Sequence, residues 1–496
     1  MLRYIAERRY NSPMKLSFKA KLFIVAGLLL AALLFAKLIV MFGTLSLLVG
    51  PVLLIGLVLA YFIFREPTLG WLLIVFFLPF ERVPTIEMGG INIKINTVLG
   101  LLTLFAWILA LMANPKKWKI EPNALAIPLS LFAAALVASL TGAVNLPRAI
   151  FVLVFILFTM ALSVLAVNMV NSKEALQKTL LVLFASALVA GAFGLFQFGG
   201  DIIGLPRSLT LLKEGYTKAI FGFPRIQAFS MEPLYFANYL LIPICIGIAL
   251  IFNKAEPIKR WPFIGLIALL LINFVLTVSR GGYLGIIGSF AILGIFLFRK
   301  IFTWRNVLIG ILTIGIVGYG VAFALSKGDY QSTNEFISHV MVTDFKNSES
   351  VQGRLYTYRR AYNAFKWYPV FGIGIGNYGP FAKFYPPQPP PKGWDIVNNQ
   401  FIELLAETGL VGTIAFGFLI LVLTLRTFIA LKYARDLLLR SVLIGSFAAL
   451  VGVLIQYNFM STLYIIHIWV LIGILIAVQS IILKTRMTKP EIRKNY

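Results

Sequence analysis

The sequence predicts an all-α integral membrane protein that crosses the bilayer many times, and three observations carry this prediction. Of the 496 residues, 59% are hydrophobic and only 13% are charged, with a mean hydropathy of +0.89. A water-soluble domain of this size needs a larger polar surface, whereas lipid solvates the outer faces of membrane helices. The apolar residues also form long runs separated by short polar segments, which is the pattern of successive membrane spans.

Apolar segments long enough to be considered as spans follow one another from the N-terminal region to the C-terminal tail. The third segment is short enough to be re-entrant, so about twelve to fourteen transmembrane helices are predicted. In chain order, the segments lie near residues 22–42, 45–64, 68–80, 97–113, 123–141, 149–168, 179–199, 234–252, 262–279, 283–298, 306–325, 404–425, 441–459 and 462–483.

The spans divide the chain into five parts. Residues 1–21 are basic and precede an apolar run too long for a signal peptide, so they are predicted to be a cytoplasmic N-terminus. Residues 22–325 hold about eleven predicted spans, and 326–403 form one loop that is too long for a simple connector. The last three spans lie within 404–483, and 484–496 form a basic cytoplasmic tail.

The distribution of lysine and arginine predicts which side of the membrane each loop faces. With the N-terminus in the cytoplasm, most basic residues fall on the cytoplasmic side and most acidic residues on the other. By the positive-inside rule, both termini are cytoplasmic and the 326–403 loop is extracytoplasmic. The same rule accounts for the net charge of +25, which in a soluble protein would suggest nucleic acid, so no nucleic-acid partner is predicted.

The sequence gives no support to a metal or cofactor site. One cysteine and two histidines exclude a disulfide framework and a Cys/His metal cluster. The predicted outer segments contain no D-x-D pair, and no P-loop sequence occurs in the chain. We therefore predict neither a metal nor a cofactor.

An arginine stands between two apolar runs in the stretch VLTVSRGGYLGIIG, residues 275–288. In the predicted topology this residue, Arg280, lies on the outer side. A membrane-embedded arginine costs about 2.5–3.5 kcal/mol, so it needs a partner or an aqueous cavity. It can snorkel to the outer headgroups. An anion site is the better explanation only if other features converge on the same face.

The stretch FPRIQAFSMEPLYFANYL, residues 223–240, also belongs to the outer side. Arg225 precedes Glu232 and Pro233, which would occupy the opening turn of a span. An acidic residue and a proline at that place are ordinary helix-start signals. A carboxylate at the membrane boundary beside an arginine is also able to accept a proton. Both interpretations of Glu232 stay open.

The long loop contains a predicted amphipathic helix near 354–367, followed by a glycine-rich run. Arg354, Arg359 and Arg360 share this helix with an apolar face, which is the composition of a helix on a membrane surface. Such a helix is either a simple lid or an anion site. The glycines permit a tight turn. They are a weak signal for phosphate binding because no strand precedes them.

The last outer stretch is VNNQFIELLAETGLVG, residues 397–412. Asn398 and Asn399 suit a helix cap, and Glu403 and Glu407 lie four residues apart on one helical face. Two carboxylates that enter a membrane helix need partners, and the outer arginines are the obvious ones. A structural ion pair explains them equally well.

Together these stretches resemble the O-antigen ligase and polymerase superfamily of bacterial envelope glycosyltransferases. The matching pieces are the S-R-G turn at 279–281, the arginine and E-P helix start within 225–240, the run from Arg354 through the alternating glycines to Asn377, and the helix start at 399–412. Ligases of this superfamily usually carry histidine immediately before the asparagine of the last motif, whereas this chain has Asn398. The departure favours the polymerase branch over the ligase branch.

The resemblance implies an enzyme that transfers a glycan from a polyprenyl diphosphate to a sugar hydroxyl at the outer face of the bacterial inner membrane, without a metal ion. The expected partners are this lipid-linked donor, a glycan acceptor and membrane lipids, and the resemblance also allows a chain-length regulator protein. The implied catalytic residues are Arg280, Arg225 and Arg354 at the departing diphosphate and Glu232 as proton acceptor. The implied substrate-binding residues are Arg359, Arg360, Asn398, Asn399, Glu403, Tyr235 and Asp395.

Two alternatives remain. The first is an O-antigen ligase or an oligosaccharyltransferase of the same fold. The second is a flippase or transporter of lipid-linked glycans, for which the number of spans is suitable. A transporter often shows two similar halves, and this sequence contains no internal repeat. Its long outer loop, rich in arginine and aromatic residues, is also unusual for a carrier.

Overall fold

The computed structural model describes residues 46–82, 85–88, 91–301, 303–304, 315, 349–383 and 395–488. The predicted N-terminal segment 1–21, the span near 22–42, most of the span near 306–325, and residues 489–496 of the tail lie outside the described residues, as do residues 326–348 and 384–394 of the long loop. The chain divides into two compact units, Met1–Glu66 and Pro67–Tyr496.

The first unit contributes one described helix, α1 (Ser46–Arg65). The second unit holds every element that the site uses. In chain order these are α2 (Pro67–Phe76), β1 (Thr85–Met88), β2 (Ile91–Lys94), α3 (Ile95–Ala113), α4 (Ala126–Ala138), a 3-10 turn (Ser139–Gly142), α5 (Leu146–Met169), α6 (Lys173–Ile202), α7 (Arg207–Thr210), a 3-10 turn (Glu214–Tyr216), α8 (Lys218–Phe221), α9 (Pro233–Asn253), α10 (Arg260–Leu276), α11 (Arg280–Ile301), α12 (Glu349–Trp367), α13 (Tyr378–Ala382), α14 (Gln400–Tyr433), α15 (Leu437–Gln456) and α16 (Ile466–Thr488).

The predicted fold class is confirmed. Within the described residues, eight helices are long and apolar enough to cross a membrane by length and composition, and four shorter apolar helices accompany them. The sequence analysis did not predict the antiparallel hairpin of β1 and β2, which pairs Thr85 with Lys94 and Met88 with Ile91. The amphipathic helix predicted near 354–367 begins earlier, at Glu349, and the span predicted at 404–425 runs from Gln400 to Tyr433.

The centre of the second unit is built by α9, α15 and α16, which are the most buried of the long helices. α15 packs against α9 on one side and α11 on another. Small residues permit this: a Cβ atom at Gly445 would lie 2.5 Å from the Cα atom of Ile246, and one at Gly452 would lie 2.8 Å from the carbonyl oxygen of Gly285. Close backbone approach at small residues is how apolar helices gain packing energy in lipid.

The polar loops of the second unit gather at two ends of the helices. At one end, which we call the basic end, lysines at helix termini meet polar partners: Lys173 Nζ lies 2.6 Å from Asp436 Oδ2, and Lys484 Nζ lies 3.2 Å from Glu121 Oε2. At the other end, which we call the loop end, backbone hydrogen bonds join residue 82 to residue 229, residue 226 to residue 276, and residue 400 to residue 457. The loop end contains the described segments that the sequence analysis places outside the membrane.

A break in α14 allows part of the long loop to enter the helical unit. Gly409 has non-helical backbone angles (φ 63°, ψ −161°), so the amides of Leu410 and Val411 lose their helical acceptors. These amides donate instead to the carbonyl oxygens of Pro369 and Val370, at 2.9 and 3.2 Å. Irregular backbone is tolerated at membrane depth only where protein satisfies its polar groups in this way. The break therefore anchors the glycine-rich run beside α14.

Candidate functional site

Three arginines from separate segments lie together at the loop end. Arg280 is the first residue of α11 and lies close enough to Arg225 and to Arg354 for electrostatic repulsion. Arg225 Nε donates to the carbonyl oxygen of Thr277, at 3.4 Å, in the turn that leads to Arg280. Arg354, on α12, lies over the ring of Phe459, 5.9 Å from its centroid. The structure thus brings together the three arginines that the sequence analysis selected.

Like charges at close range are unfavourable unless an anion joins them. Burial lowers the pKa of Arg225, the neighbouring tyrosines Tyr216 and Tyr283 raise it, and the charge of Arg280 lowers it further. The guanidinium also stacks on Tyr216, 5.6 Å from the ring centroid. An arginine group held in this way is suited to a ligand with two or more negative charges, because each guanidinium offers bidentate donors.

Glu232 lies beside this arginine group. It occupies the N-cap position of α9 with extended backbone, is exposed, and makes no side-chain capping hydrogen bond. Its charge acts on Arg225 and on Lys213. Burial, followed by the Glu232 charge, raises the pKa of Tyr216 to about 12. The Glu232 carboxylate therefore does not cap α9, although its position at the helix start was the alternative explanation for this residue.

Lys213 is close enough to Glu232 for electrostatic interaction, and Arg82 is close enough to Lys213. Burial lowers the pKa of Lys213, Glu232 raises it, and Arg82 lowers it. Arg82 lies at the end of the first loop of the second unit, and its guanidinium donates to the carbonyl oxygen of Leu211. Neither residue was predicted, because a single basic residue in a loop carries no distinguishing sequence pattern.

Tyr235 and Glu403 lie in a second, more enclosed part of the loop end. The side chain of Tyr235 is close enough to Tyr464 and to Glu232 for electrostatic interaction. Glu403, near the start of α14, accepts a hydrogen bond from the amide of Val397 at 3.1 Å and interacts with the charge of Arg148. Tyr464 and Arg148 were not predicted.

Two of the predicted binding residues form an ion pair with each other. Arg360, buried on α12, donates to Asp395 Oδ2 at 2.9 Å. The ring of Tyr356 lies under the guanidinium, with its centroid 4.3 Å away. The charge of Arg360 is therefore balanced within the protein, whereas Arg359, one residue earlier, is exposed.

The two asparagines before α14 shape its first turn. Asn398 adopts a left-handed backbone (φ 57°), a conformation that asparagine tolerates better than most residues. Asn399 is the N-cap and accepts hydrogen bonds from the amides of Phe401 and Ile402, each at 3.1 Å. Both residues lie at the loop end, and Asn399 Nδ2 also donates to the carbonyl oxygen of Asn458, at 3.5 Å.

The glycine-rich run is held by protein contacts along its whole length. Glu407 Oε2 accepts from the amide of Gly376 at 2.8 Å, and Oε1 accepts from that of Tyr378 at 2.9 Å. The amides of residues 372, 373, 374, 375 and 377 also donate to protein oxygens. Arg148 Nε donates to the carbonyl oxygen of Gly376, at 2.6 Å. All of these amides are hydrogen-bonded within the protein, so none of them is available to bind a phosphate. The run therefore has a structural role.

In the described part of the chain, no group of three or more His, Cys, Asp or Glu side chains is arranged to hold a metal ion. The charged groups at the loop end are instead dominated by guanidinium and ammonium groups, which bind anions directly.

Residues 265–417 match the family model Wzy_C, described as O-antigen ligase. This match confirms the predicted resemblance to the O-antigen ligase and polymerase superfamily and indicates a glycosyltransferase-like membrane enzyme. The matched region includes Arg280, Arg354, the glycine-rich run and the start of α14; Arg225 and Glu232 precede it. The match does not separate the polymerase branch from the ligase branch. No curated protein matches the chain.

Proposed function

From this family match we propose that the protein is a membrane glycosyltransferase. It takes a glycan linked to polyprenyl diphosphate and transfers it to a sugar hydroxyl at the outer face of the bacterial inner membrane. The main proposed activity is the polymerisation of repeat units. The observation that carries the proposal is the group of Arg225, Arg280 and Arg354 beside the exposed carboxylate of Glu232.

The chemistry of glycan transfer explains why these groups belong together. As the bond between the anomeric carbon and the diphosphate oxygen breaks, negative charge grows on the departing diphosphate. Arginine side chains that are already in place stabilise this charge without a metal ion. The acceptor hydroxyl loses a proton as its oxygen bonds to the anomeric carbon, and Glu232 is the proposed acceptor of that proton.

A different role is proposed for the remaining predicted binding residues, which are Arg359, the ion pair of Arg360 and Asp395, Tyr235, Asn398, Asn399 and Glu403. They line or support the acceptor side of the site, where sugar hydroxyls need hydrogen-bonding partners more than charge. A protein that regulates chain length is a further proposed partner.

Reconstitution tests the proposed reaction. The purified protein in lipid vesicles is supplied with a polyprenyl-diphosphate-linked repeat unit on the side of the loop end. Polymerisation predicts long glycan chains still attached to the lipid. Transfer of existing chains to a second glycan acceptor without elongation would identify a ligase, an alternative favoured by the description of the matching family. Repeat units that cross the bilayer unchanged would contradict glycan transfer and identify a flippase.

Cysteine labelling tests the proposed orientation. Ile396, at the loop end, and Ile258, at the basic end, are both exposed, while the native Cys245 is buried. In intact cells with a permeable outer layer, a membrane-impermeant maleimide is expected to label Ile396→Cys and not Ile258→Cys. Labelling of Ile258→Cys alone would place the loop end in the cytoplasm and would contradict the proposed side of the reaction.

Replacement of Glu232 tests its proposed role as proton acceptor. Glu232→Gln keeps the size and the helix start but removes the basic carboxylate, so kcat is expected to fall roughly 100-fold with little change in KM. Glu214→Gln is the matched control, because Glu214 is an exposed glutamate of the same loop, paired with Arg207 at 2.8 Å. Equal rates for the two variants would exclude Glu232 as the base.

A further inference from the structure

The turn that follows α15, at residues 457–460, touches two of the three segments that supply the arginine group. Its half-buried Phe459 was not selected from the sequence and lies outside the family match. The guanidinium carbon of Arg354 lies over this ring, 5.9 Å from the centroid. The same side chain packs against Gly281, where a Cβ atom would lie 2.9 Å from the Cβ and Cγ atoms of Phe459. One aromatic side chain therefore contacts Arg354 and the residue next to Arg280.

Hydrogen bonds to its backbone tie this turn to α12 and α14. The amide of Gln400, the first residue of α14, donates to the carbonyl oxygen of Tyr457 at 2.7 Å. The hydroxyl of Tyr358, on α12, donates to the carbonyl oxygen of Asn458 at 3.3 Å. Tyr358 follows Arg354 by four residues, so the two side chains share one face of the helix. That face of α12 meets the turn, and the position of Phe459 relative to Arg354 is fixed by backbone as well as by side-chain contacts.

Two glycines at the start of α11 permit the close approach of its neighbours. Gly281 faces Phe459, and a Cβ atom at Gly282 would lie 3.1 Å from the Cβ atom of Ala237, on α9. The first turn of α11 thus packs against the aromatic side chain with one glycine and against α9 with the next. Because Arg280 is the first residue of this turn, these contacts fix the position of its backbone.

An aromatic ring suits this place because it attracts a guanidinium without accepting its N–H donors. The attraction acts between the positive charge and the face of the ring. A carboxylate beside Arg354 would instead balance its charge and accept from its N–H groups, as Asp395 does for Arg360. An arginine that rests on a ring keeps its charge and its bidentate donors for a diphosphate. Arg225 rests on the ring of Tyr216 in a similar way, 5.6 Å from the centroid.

We propose that Phe459 is a positioning residue, which sets the guanidinium of Arg354 beside Arg280 so that both donate to one diphosphate. The inference rests on the proposed function and adds to it a residue from outside the matched region. Two guanidinium groups at close range repel each other, and the attraction of Arg354 to the ring offsets part of this repulsion before the substrate binds. Phe459 touches no reacting atom in this scheme and acts only through the arginine.

A double-mutant cycle tests the inference in vesicles supplied with polyprenyl-diphosphate-linked repeat unit. Phe459→Leu keeps an apolar side chain but removes the ring face, so kcat is expected to fall about 10-fold. Phe459→Tyr keeps the ring face, and its kcat is expected to stay within about twofold of the wild type. In an Arg354→Ala background, Phe459→Leu is expected to cause no further loss, because the ring acts through that arginine. In an Arg225→Ala background, the full loss is expected.

Phe296→Leu is the control for the loss of aromatic packing. Phe296 is also half-buried, lies on α11 towards the basic end, and packs against Phe428 with ring centroids 6.0 Å apart. Its replacement is expected to leave kcat unchanged, and thermal unfolding compares the stability of the two leucine variants.

Three results would overturn the positioning role of Phe459. The first is a wild-type kcat in Phe459→Leu, and the second is an equal loss in Phe459→Tyr. The third is the same fractional loss from Phe459→Leu with and without Arg354, which is the result expected if the ring only supports the fold. If the wild-type protein itself forms no glycan bond, the proposed function fails and this inference fails with it.

Discussion

Replacement of Arg280 with alanine is expected to slow glycan transfer about 100- to 1000-fold, which corresponds to about 3 kcal/mol in the barrier. Arg280 is the member of the arginine group that interacts electrostatically with both Arg225 and Arg354. Under the proposed function, removal of this guanidinium takes away one of the donors that stabilise the departing diphosphate. The measurement is the initial rate of chain growth on lipid-linked repeat units in vesicles.

The chemistry of the side chain refines this test. Arg280→Lys keeps the charge but not the planar, bidentate donors, so its rate is expected to lie between those of the wild type and Arg280→Ala. Arg260→Ala is the matched control, because Arg260 also begins an apolar helix, at the basic end, where it pairs with Glu256. A rate for Arg280→Ala within a few-fold of the control would remove the main support for diphosphate binding at this group.

Replacement of Glu407 with alanine is expected to lower the free energy of unfolding by about 3–5 kcal/mol, because two buried amides lose their hydrogen-bond acceptors. The carboxylate holds the amides of Gly376 and Tyr378, and the run that contains them also donates to the backbone of α14. Glu407→Gln keeps one acceptor and is expected to lose about half as much. Thermal unfolding in detergent measures both changes.

The control for this experiment is Glu214→Ala. Its ion pair with Arg207 is solvent-exposed on both sides, so its removal is expected to change stability by at most about 1 kcal/mol. If Glu407→Ala were as stable as this control, the glycine-rich run would not depend on the carboxylate. The conclusion that its amides are unavailable to phosphate would then lose its basis.

Local patterns predicted well what depends on neighbours along the chain. Apolar runs predicted the helices, because a spanning helix must be apolar over its whole length. The two asparagines before Gln400 predicted a cap, and Asn399 is the cap. The choice of Arg225, Arg280 and Arg354 rested on their shared outer position and on family resemblance, and the structure places these residues in one group.

Contacts between distant parts of the chain were not predictable in the same way. The glycine-rich run has the spacing of a weak phosphate signal, and only the position of Glu407 shows that its amides are already bonded. Arg360 looked like a free cation until the fold placed Asp395 beside it. His467 lies within an apolar run, and nothing near it in sequence indicates that Glu81 faces it.

The sequence by itself determined that this protein consists mainly of apolar helices suited to cross a membrane, because hydropathy acts on each segment independently of the others. Only the tertiary structure decided which charged and polar groups lie next to one another. Electrostatic pairing depends on distance in space, and in this chain the partners of Gly376, Arg360 and His467 come from other segments. The arginine group at the loop end is likewise assembled from three separate segments of the chain.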